Sequence, residues 1–353
     1  MVPNIKIKKF YDSTYIYGPK EFESINLKNK IIKKILIIKW GGMGDVILST
    51  GAMQDIYEAF PNSKIHLNTL PQWKSLFNDD PRFDKIWGTK KSQEIGFLKH
   101  LYEGINKIKY EKYDLVIDLQ TNDRTRIYLT ILKVIWQAPK FILGNHSVFP
   151  YSIFPKIVKN IERPLHLLQR TINTIGIESN NICPKLYITK EENKLALSIL
   201  KNNKLAKENY AVFICGSNIN GKSKRWGADN FIKLSKFLRK YLDLKIILIG
   251  GPDDTSECNA ISSKDKTIVN LCNKTELKTL PRIFKMAKII IGNDTGASHL
   301  VASTKTPMIM IFGPTDPNKS KPFGKNIIAI KAENSRMNDI SANHVLKIIH
   351  EVI

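Results

Sequence analysis

Nowhere in the 353-residue chain does an uncharged apolar run approach the length of about 18 residues that a membrane-spanning helix needs. Met1 is not followed by a charged region and a continuous apolar segment, so no standard secretion signal is read at the start. Cysteine is scarce. Cys183, Cys215, Cys258 and Cys272 stand apart without the paired spacing of a zinc site or a disulfide framework, which points to reduced thiols and a cytoplasmic setting. Acids are few beside bases, 32 against 55, for a net charge of +23. A field of that sign concentrates polyanions, acidic lipids or phosphorylated saccharides. The bases are nevertheless dispersed through nearly every segment, and no paired-cysteine finger, aromatic ribonucleoprotein motif or basic zipper occurs, so no specific nucleic-acid partner is expected. Tandem short repeats and low-complexity tracts are also lacking.

The chain is long enough for two α/β domains of about 150 residues, each with its own apolar core. Residues 1–30 mix basic and aromatic positions and read as an N-terminal arm or edge extension. From there the pattern alternates. Ile35 to Ile38 forms a short apolar run suited to a buried parallel strand, a helical stretch from Val46 to Phe60 follows, and Lys64 to Leu67 is extended again. Leu115–Leu119 and Phe141–Gly144 continue the series. The periodicity lapses between Gly176 and Pro184, a domain boundary, and resumes at Ala211–Cys215, Lys245–Gly250, Thr267–Asn270, Ala287–Gly292 and Pro307–Phe312. The expected division is one domain over 31–178, a second over 179–335, and a C-terminal helix over 336–353 packing back toward the N-terminal domain. Open parallel sheets of this kind bind ligands beyond their carboxyl strand ends.

Two glycine-punctuated turns carry the chemistry. In Trp40-Gly41-Gly42-Met43-Gly44-Asp45, the acid stands just before the helical stretch, where it either caps free amides or serves as a general base toward an acceptor hydroxyl. No Glu or Gln stands at Leu48 to complete a capping box, and the glycines match neither a GxGxxG fingerprint nor a P-loop. In the other half, Gly292-Asn293-Asp294-Thr295-Gly296 opens a strand-turn-helix anion nest in which the amides of Thr295, Gly296 and Ala297 meet phosphate oxygens. Asp294 orients sugar hydroxyls or organises that turn, and His299 contacts the diphosphate or packs as a satisfied histidine. Ser217 and Asn218 follow a strand. Lys224 either answers the charge of a departing phosphate or is solvated surface. Trp226 reads as the packing anchor of a helix carrying Phe231, Leu234 and Leu238, and Asp253 as a ribose ligand or a turn acid.

Taken together, Gly42-Met43-Gly44-Asp45-Val46, Lys224-Arg225-Trp226, Asp294-Thr295-Gly296-Ala297-Ser298-His299-Leu300 and Gly313-Pro314-Thr315-Asp316-Pro317 resemble the lipopolysaccharide heptosyltransferases, glycosyltransferase family 9, over most of the chain. The resemblance implies a GT-B fold, two Rossmann-like domains with parallel sheets facing across a cleft. It further implies inverting transfer of heptose from ADP-L-glycero-β-D-manno-heptose to Kdo or heptose of an inner-core lipopolysaccharide. Asp45 matches the family base and Lys224 the phosphate-neutralising lysine. Ser217, Asn218, Asp253, Thr275, Asp294, Thr295, Gly296, Ala297 and His299 fall on the donor side. Gly42, Met43, Gly44, Lys74, Gln120, Arg124, Arg126 and His146 fall on the acceptor side, where basic residues suit an anionic lipid-linked saccharide. No resident cofactor or metal site is expected. Lys224 and helix-end amides can answer the leaving charge, although Mg²⁺ through an Asp bridge stays open. Reversible contact with the cytoplasmic face of the inner membrane is a further expectation. The alternatives are a GT-B transferase using another nucleotide sugar on a capsule, glycan or protein, and a nucleotide-sugar-binding module without turnover.

Overall fold

The computed structural model describes residues 25–89, 97–120, 122–136, 139–145, 147–156, 163–217 and 219–353. The chain forms two compact units. The first comprises residues up to Gly41 together with Ala52–Asn180, the second Gly42–Gly51 together with Asn181–Ile353. The main crossing lies inside the polar 176–184 segment. Most of the expected arm, up to Ser24, lies outside the described residues. Its last residues belong to the first unit proper: Leu27 is fully buried, and the amides of Ile25 and Leu27 donate to the carbonyls of Thr174 and Ile175.

The first unit is built on a five-stranded parallel sheet. Its strands are β1 (Lys34–Lys39), β2 (Lys64–Thr69), β3 (Lys85–Gly88), β4 (Leu115–Asp118) and β5 (Phe141–Leu143), in the order β3-β2-β1-β4-β5. The helices are α1 (Met43–Ala59), α2 (Phe97–Glu111), α3 (Asp123–Trp136) and α4 (Pro164–Asn173). Central strands of a parallel sheet are covered on both faces, which is why Ile35 to Ile38 is uninterrupted by polar residues. On one face Leu36, Ile38, Val116 and Ile142 pack against Ile105 and Ile108 of α2 and Tyr128, Leu129 and Leu132 of α3.

The second unit has a six-stranded parallel sheet. It contains β6 (Tyr210–Ile214), β7 (Lys245–Leu248), β8 (Val269–Asn270), β9 (Ile289–Asn293), β10 (Met308–Phe312) and β11 (Ile327–Lys331), ordered β11-β10-β9-β6-β7-β8. Helices α5 (Lys190–Asn202), α6 (Ala228–Leu242), α7 (Thr255–Lys264), α8 (Leu280–Met286), α9 (Gly296–His299), α10 (Pro317–Ser320) and α11 (Ala342–Val352) surround it. Side chains alternate across β6: Ala211 and Phe213 enter the core under α6, and Tyr210, Val212 and Ile214 enter the core under α5 and α8.

Ala342, Val345 and Ile349 of the C-terminal helix α11 join Phe231, Leu234 and Leu238 of α6 in the second unit's core. Residues 42–51 group with the second unit, whose buried apolar cluster includes Ile47. Helix α1 therefore starts in one unit and ends in the other.

Candidate active site

The sheet order of the second unit identifies where its ligand site should be. From β6 the chain adds β7 and β8 on one side, then returns to add β9, β10 and β11 on the other. The carboxyl ends of β6 and β9 therefore diverge into loops on either side of a topological switch point, where open α/β sheets bind ligands. The loop after β6 carries Gly216 and Ser217, and the loop after β9 carries Asp294 and Thr295.

Asn293, fully buried at the end of β9, fastens these loops together. Its Nδ2 donates to the carbonyls of Cys215 (2.6 Å) and Gly216 (3.2 Å), and its Oδ1 accepts from the Trp226 amide (3.2 Å). Trp226 is fully buried as expected of a packing residue, its Nε1 donating to the Ile340 carbonyl at 2.8 Å. Lys224, just before it, extends its Nζ to Asp294 Oδ2 at 2.8 Å. The carboxylate is buried and the ammonium about one-third exposed, so the pair presents a cation at the switch point over a fixed counter-charge.

Arg225 has a separate task, one that no local pattern in the sequence reveals. Its guanidinium donates to the Ser217 hydroxyl (3.2 Å), the Ser217 carbonyl (3.0 Å) and the Asp253 carbonyl (2.8 Å), and it faces the carboxylates of Asp254 (3.7 Å) and Glu257 (3.9 Å). One planar group thus joins the loops after β6 and β7. Burial pushes the Asp254 carboxyl above its ordinary range, against the Gly251 amide and Arg225, and burial raises Glu257 likewise. A Cβ on Gly216 would overlap the Asp254 carboxyl, so the backbone at β6 must be glycine to approach this acid. Asp253 itself is exposed; the inward carboxylate after β7 is Asp254, the residue that the sequence reading passed over.

The start of α1 forms the other wall of this site within the same unit. Helix α1 begins at Met43, so Asp45 lies in its first turn instead of at its cap, which corrects the capping alternative while keeping the favourable dipole position. Gly44 packs on α9: a Cβ there would stand 3.0 Å from His299 Cδ2 and 3.1 Å from Nε2. Gly296 is equally tight, since its Cβ would meet Met43 Cβ at 2.9 Å and the Gly44 nitrogen at 3.0 Å. The glycines at both helix starts are what permit this approach. Asp45 is exposed beside it.

His299 sits between these groups, half-buried, its Nδ1 buried without a hydrogen-bond partner among the described residues. Burial holds the imidazole pKa below its ordinary value; Asp294 and Asp45 oppose that shift and Lys224 adds to it. The ring is therefore neutral near pH 7, with one nitrogen able to donate and the other to accept. A testable consequence concerns stability. Because the folded chain releases this proton more readily than the unfolded chain does, stability falls as pH drops through the unfolded histidine range near 6.5 and is regained above it. In His299→Asn, the urea midpoint should fall less between about pH 7 and about pH 5 than in the parent chain. Equal slopes in the two proteins would remove His299 from this account.

The remaining sequence-derived candidates divide between the units. In the second, Ser217 is buried and its hydroxyl donates to the Gly221 carbonyl at 2.7 Å, so it shapes the loop before Lys224. The amides of Thr295, Gly296 and Ala297 lie at the start of α9, with Thr295 extended before it. Thr275 lines an open pocket of about 360 Å³ with Leu195, Ile199, Asn273, Lys274 and Glu276. Gly42, Met43 and Gly44, expected on the acceptor side, are grouped with the second unit for the packing reason above.

In the first unit, Gln120 Oε1 accepts from the Trp40 amide at 3.2 Å, Arg126 pairs with Asp123 at 3.1 Å, and Lys74 and Arg124 are exposed. Asp118 is fully buried and accepts from the Tyr151 hydroxyl at 2.7 Å, an internal use. Asn218 and His146 lie outside the described residues. The four cysteines are free thiols, with Cys215 and Cys258 sulfurs 3.5 Å apart. No group of three or more His, Cys, Asp or Glu among the described residues has the arrangement to hold a metal ion.

Residues 103–350 match the model of glycosyltransferase family 9 (heptosyltransferase). Lipopolysaccharide heptosyltransferase 1 of Escherichia coli O18:K1:H7 is 25% identical over 337 residues, which cover 90% of this chain and 97% of that protein. Lipooligosaccharide heptosyltransferase 2 of Campylobacter jejuni serotype O:2 is 27% identical over 296 residues, covering 80% and 81%. Among solved structures, a family 9 glycosyl transferase from Veillonella parvula superposes with a TM-score of 0.80 at 21% identity, covering 93% of this chain and 98% of that one. The E. coli heptosyltransferase WaaC with ADP gives 0.71 at 20% identity, covering 91% and 100%. These structures share the expected fold class, GT-B with two Rossmann-like parallel-sheet units.

Proposed function

We propose, from the premise that the chain belongs to glycosyltransferase family 9, that it is an inverting transferase moving heptose from ADP-L-glycero-β-D-manno-heptose to Kdo or heptose of an inner-core lipopolysaccharide acceptor. A related solved structure is WaaC with ADP-2-deoxy-2-fluoro heptose, a donor of the class proposed. One observation carries the reading. The same unit holds the α1 start, with Asp45, against the turn Asp294–His299 so closely that a Cβ on Gly296 would stand 2.9 Å from Met43 Cβ and one on Gly44 3.0 Å from His299 Cδ2.

In this reading Asp45 takes the proton of the acceptor hydroxyl as its oxygen attacks the anomeric carbon. The bond from that carbon to the diphosphate oxygen breaks, and the sugar is delivered with inverted configuration. Negative charge grows on the departing ADP, where Lys224 and the amides of Thr295, Gly296 and Ala297 stabilise it more than they stabilise the intact donor. Asp294 holds Lys224 in place through the 2.8 Å pair and orients donor hydroxyls. Neutral His299 donates one hydrogen bond to the diphosphate without adding a charge that would retain the product. Lys74, Gln120, Arg124, Arg126 and His146 serve the anionic acceptor.

The test is product analysis by mass spectrometry across a panel of ADP- and UDP-linked sugars offered with Kdo-bearing and heptose-bearing acceptors. The expected product gains one heptose from ADP-heptose. Transfer of another sugar, with none from ADP-heptose, would replace the donor in this reading. Binding of ADP-heptose without release of ADP would make the chain a binding module.

A further inference from the structure

Lys224 reaches the switch point on a flexible four-carbon stem, and its ammonium is about one-third exposed. Only a fixed backbone keeps its Nζ 2.8 Å from Asp294. Beyond Lys224 the chain is anchored by the buried Trp226, bonded to Asn293 and Ile340. Before it, the short 3-10 turn Ile219–Lys224 leaves helical geometry at Gly221, and Lys222 and Ser223 are exposed, so the turn holds little shape by itself. Arg225 supplies the missing restraint. Its amide donates to the Lys222 carbonyl at 3.1 Å, while its guanidinium reaches back across the loop to the Ser217 hydroxyl (3.2 Å) and carbonyl (3.0 Å). The Ser217 hydroxyl in turn donates to Gly221 inside the loop at 2.7 Å. The same guanidinium continues to the Asp253 carbonyl at 2.8 Å and faces Asp254 and Glu257. Every one of these contacts is internal to the unit, and the side chain is only 11% exposed, which assigns Arg225 to the protein and not to a ligand.

We propose that Arg225 is a positioning residue for Lys224: by bridging Ser217 and Asp253 it closes the loop 217–226, and the closed loop sets the Lys224 ammonium over the switch point. The two neighbours differ in kind. Lys224 faces the leaving group, whereas Arg225 touches only protein and acts through Lys224. A planar fork is needed for this, because its nitrogens must serve the acceptors on Ser217 and Asp253 at once, which the compact ammonium of a lysine cannot do. The inference deepens the reading of Lys224 as the group that answers the charge on departing ADP and rests on it.

The experiment joins hydrogen exchange to a double-mutant cycle. In ligand-free Arg225→Gln, the amides of a peptide spanning 217–226 should exchange at least about tenfold faster than in the parent chain, while those of β9 stay protected. In turnover, Arg225→Gln should lower kcat about tenfold in the parent chain and no more than about twofold in a Lys224→Ala background, because a lysine that is gone cannot be misplaced. The ADP dissociation constant, measured by calorimetry, should follow the same cycle. Arg225→Lys should behave as Arg225→Gln does. Ser217→Ala strands no charge and decides the matter if Arg225→Gln does not fold; it should give the same pattern with a loss of about threefold in the parent chain. Any one of four results overturns the proposal: parental exchange over 217–226, parental kcat in Arg225→Gln, full activity of Arg225→Lys, or equal fold losses in the two backgrounds. The exchange measurement needs neither donor nor acceptor. A loosened loop in a chain that transfers no heptose would strike the donor assignment and leave the clasp standing, whereas heptose transfer beside a loop of parental protection would do the reverse.

Discussion

Asp45→Asn lowers kcat by about 10²–10⁴-fold while the donor KM changes by no more than a few fold, if the carboxylate is the general base. Asparagine keeps the size and planarity of the side chain and removes its ability to accept the acceptor proton. The structural cost is small because Asp45 is exposed, whereas its neighbours Val46 and Ile47 are fully buried and hold the first turn of α1. Losing a favourable charge at a helix start costs about 0.3–1 kcal/mol, too little to mimic the loss of rate. Steady-state kinetics with saturating donor, beside a thermal melt, separates the two effects. Turnover within about threefold of the parent protein would falsify the assignment of the base.

The second large effect belongs to Lys224. Its ammonium meets a buried carboxylate and stands at the switch point between β6 and β9, so under the proposed mechanism Lys224→Ala removes a charge directed at the leaving diphosphate. Loss of a single preorganised donor to developing charge costs about 10²–10³ in kcat. The same substitution strands Asp294, which is only 7% exposed, and that costs stability independently of catalysis. The variant Lys224→Ala/Asp294→Asn tells these consequences apart. Neutralising the stranded acid should restore the melting temperature toward that of the parent, while the rate stays low. Recovery of both together would mean that Lys224 acts only through folding.

The parallel sheets were legible because their central strands are uninterrupted apolar runs, Ile35–Ile38 and Ile289–Ile291 among them. Strand β3 was not, since Lys85-Ile86-Trp87-Gly88 is short, begins with an exposed lysine and ends in a glycine that reads as a turn. The start of α1 was misplaced for a related reason. Gly42-Met43-Gly44 has poor intrinsic helix propensity, and the packing of Gly44 on His299 overrides it. Asp45, Lys224 and Asp294 stood out as candidates because each lies in a turn or loop that follows a strand. Arg225, Asn293 and Asp254 were not, because their roles depend on partners brought together by the sheet order. Arg225 stands in the Lys224-Arg225-Trp226 motif, but only the loops after β6 and β7 show what it joins.

The division of helix α1 has a consequence for how this protein can be taken apart. A polypeptide starting at Asn181 would contain all six strands of the second sheet yet lack the decapeptide 42–51, and with it both Ile47 and Asp45. Such a truncation would leave a gap in the second unit's apolar cluster where Ile47 sits. Gene fragments cut at the linker are therefore poor modules for domain swapping between transferases, because a functional graft must transplant two separated stretches of coding sequence at once.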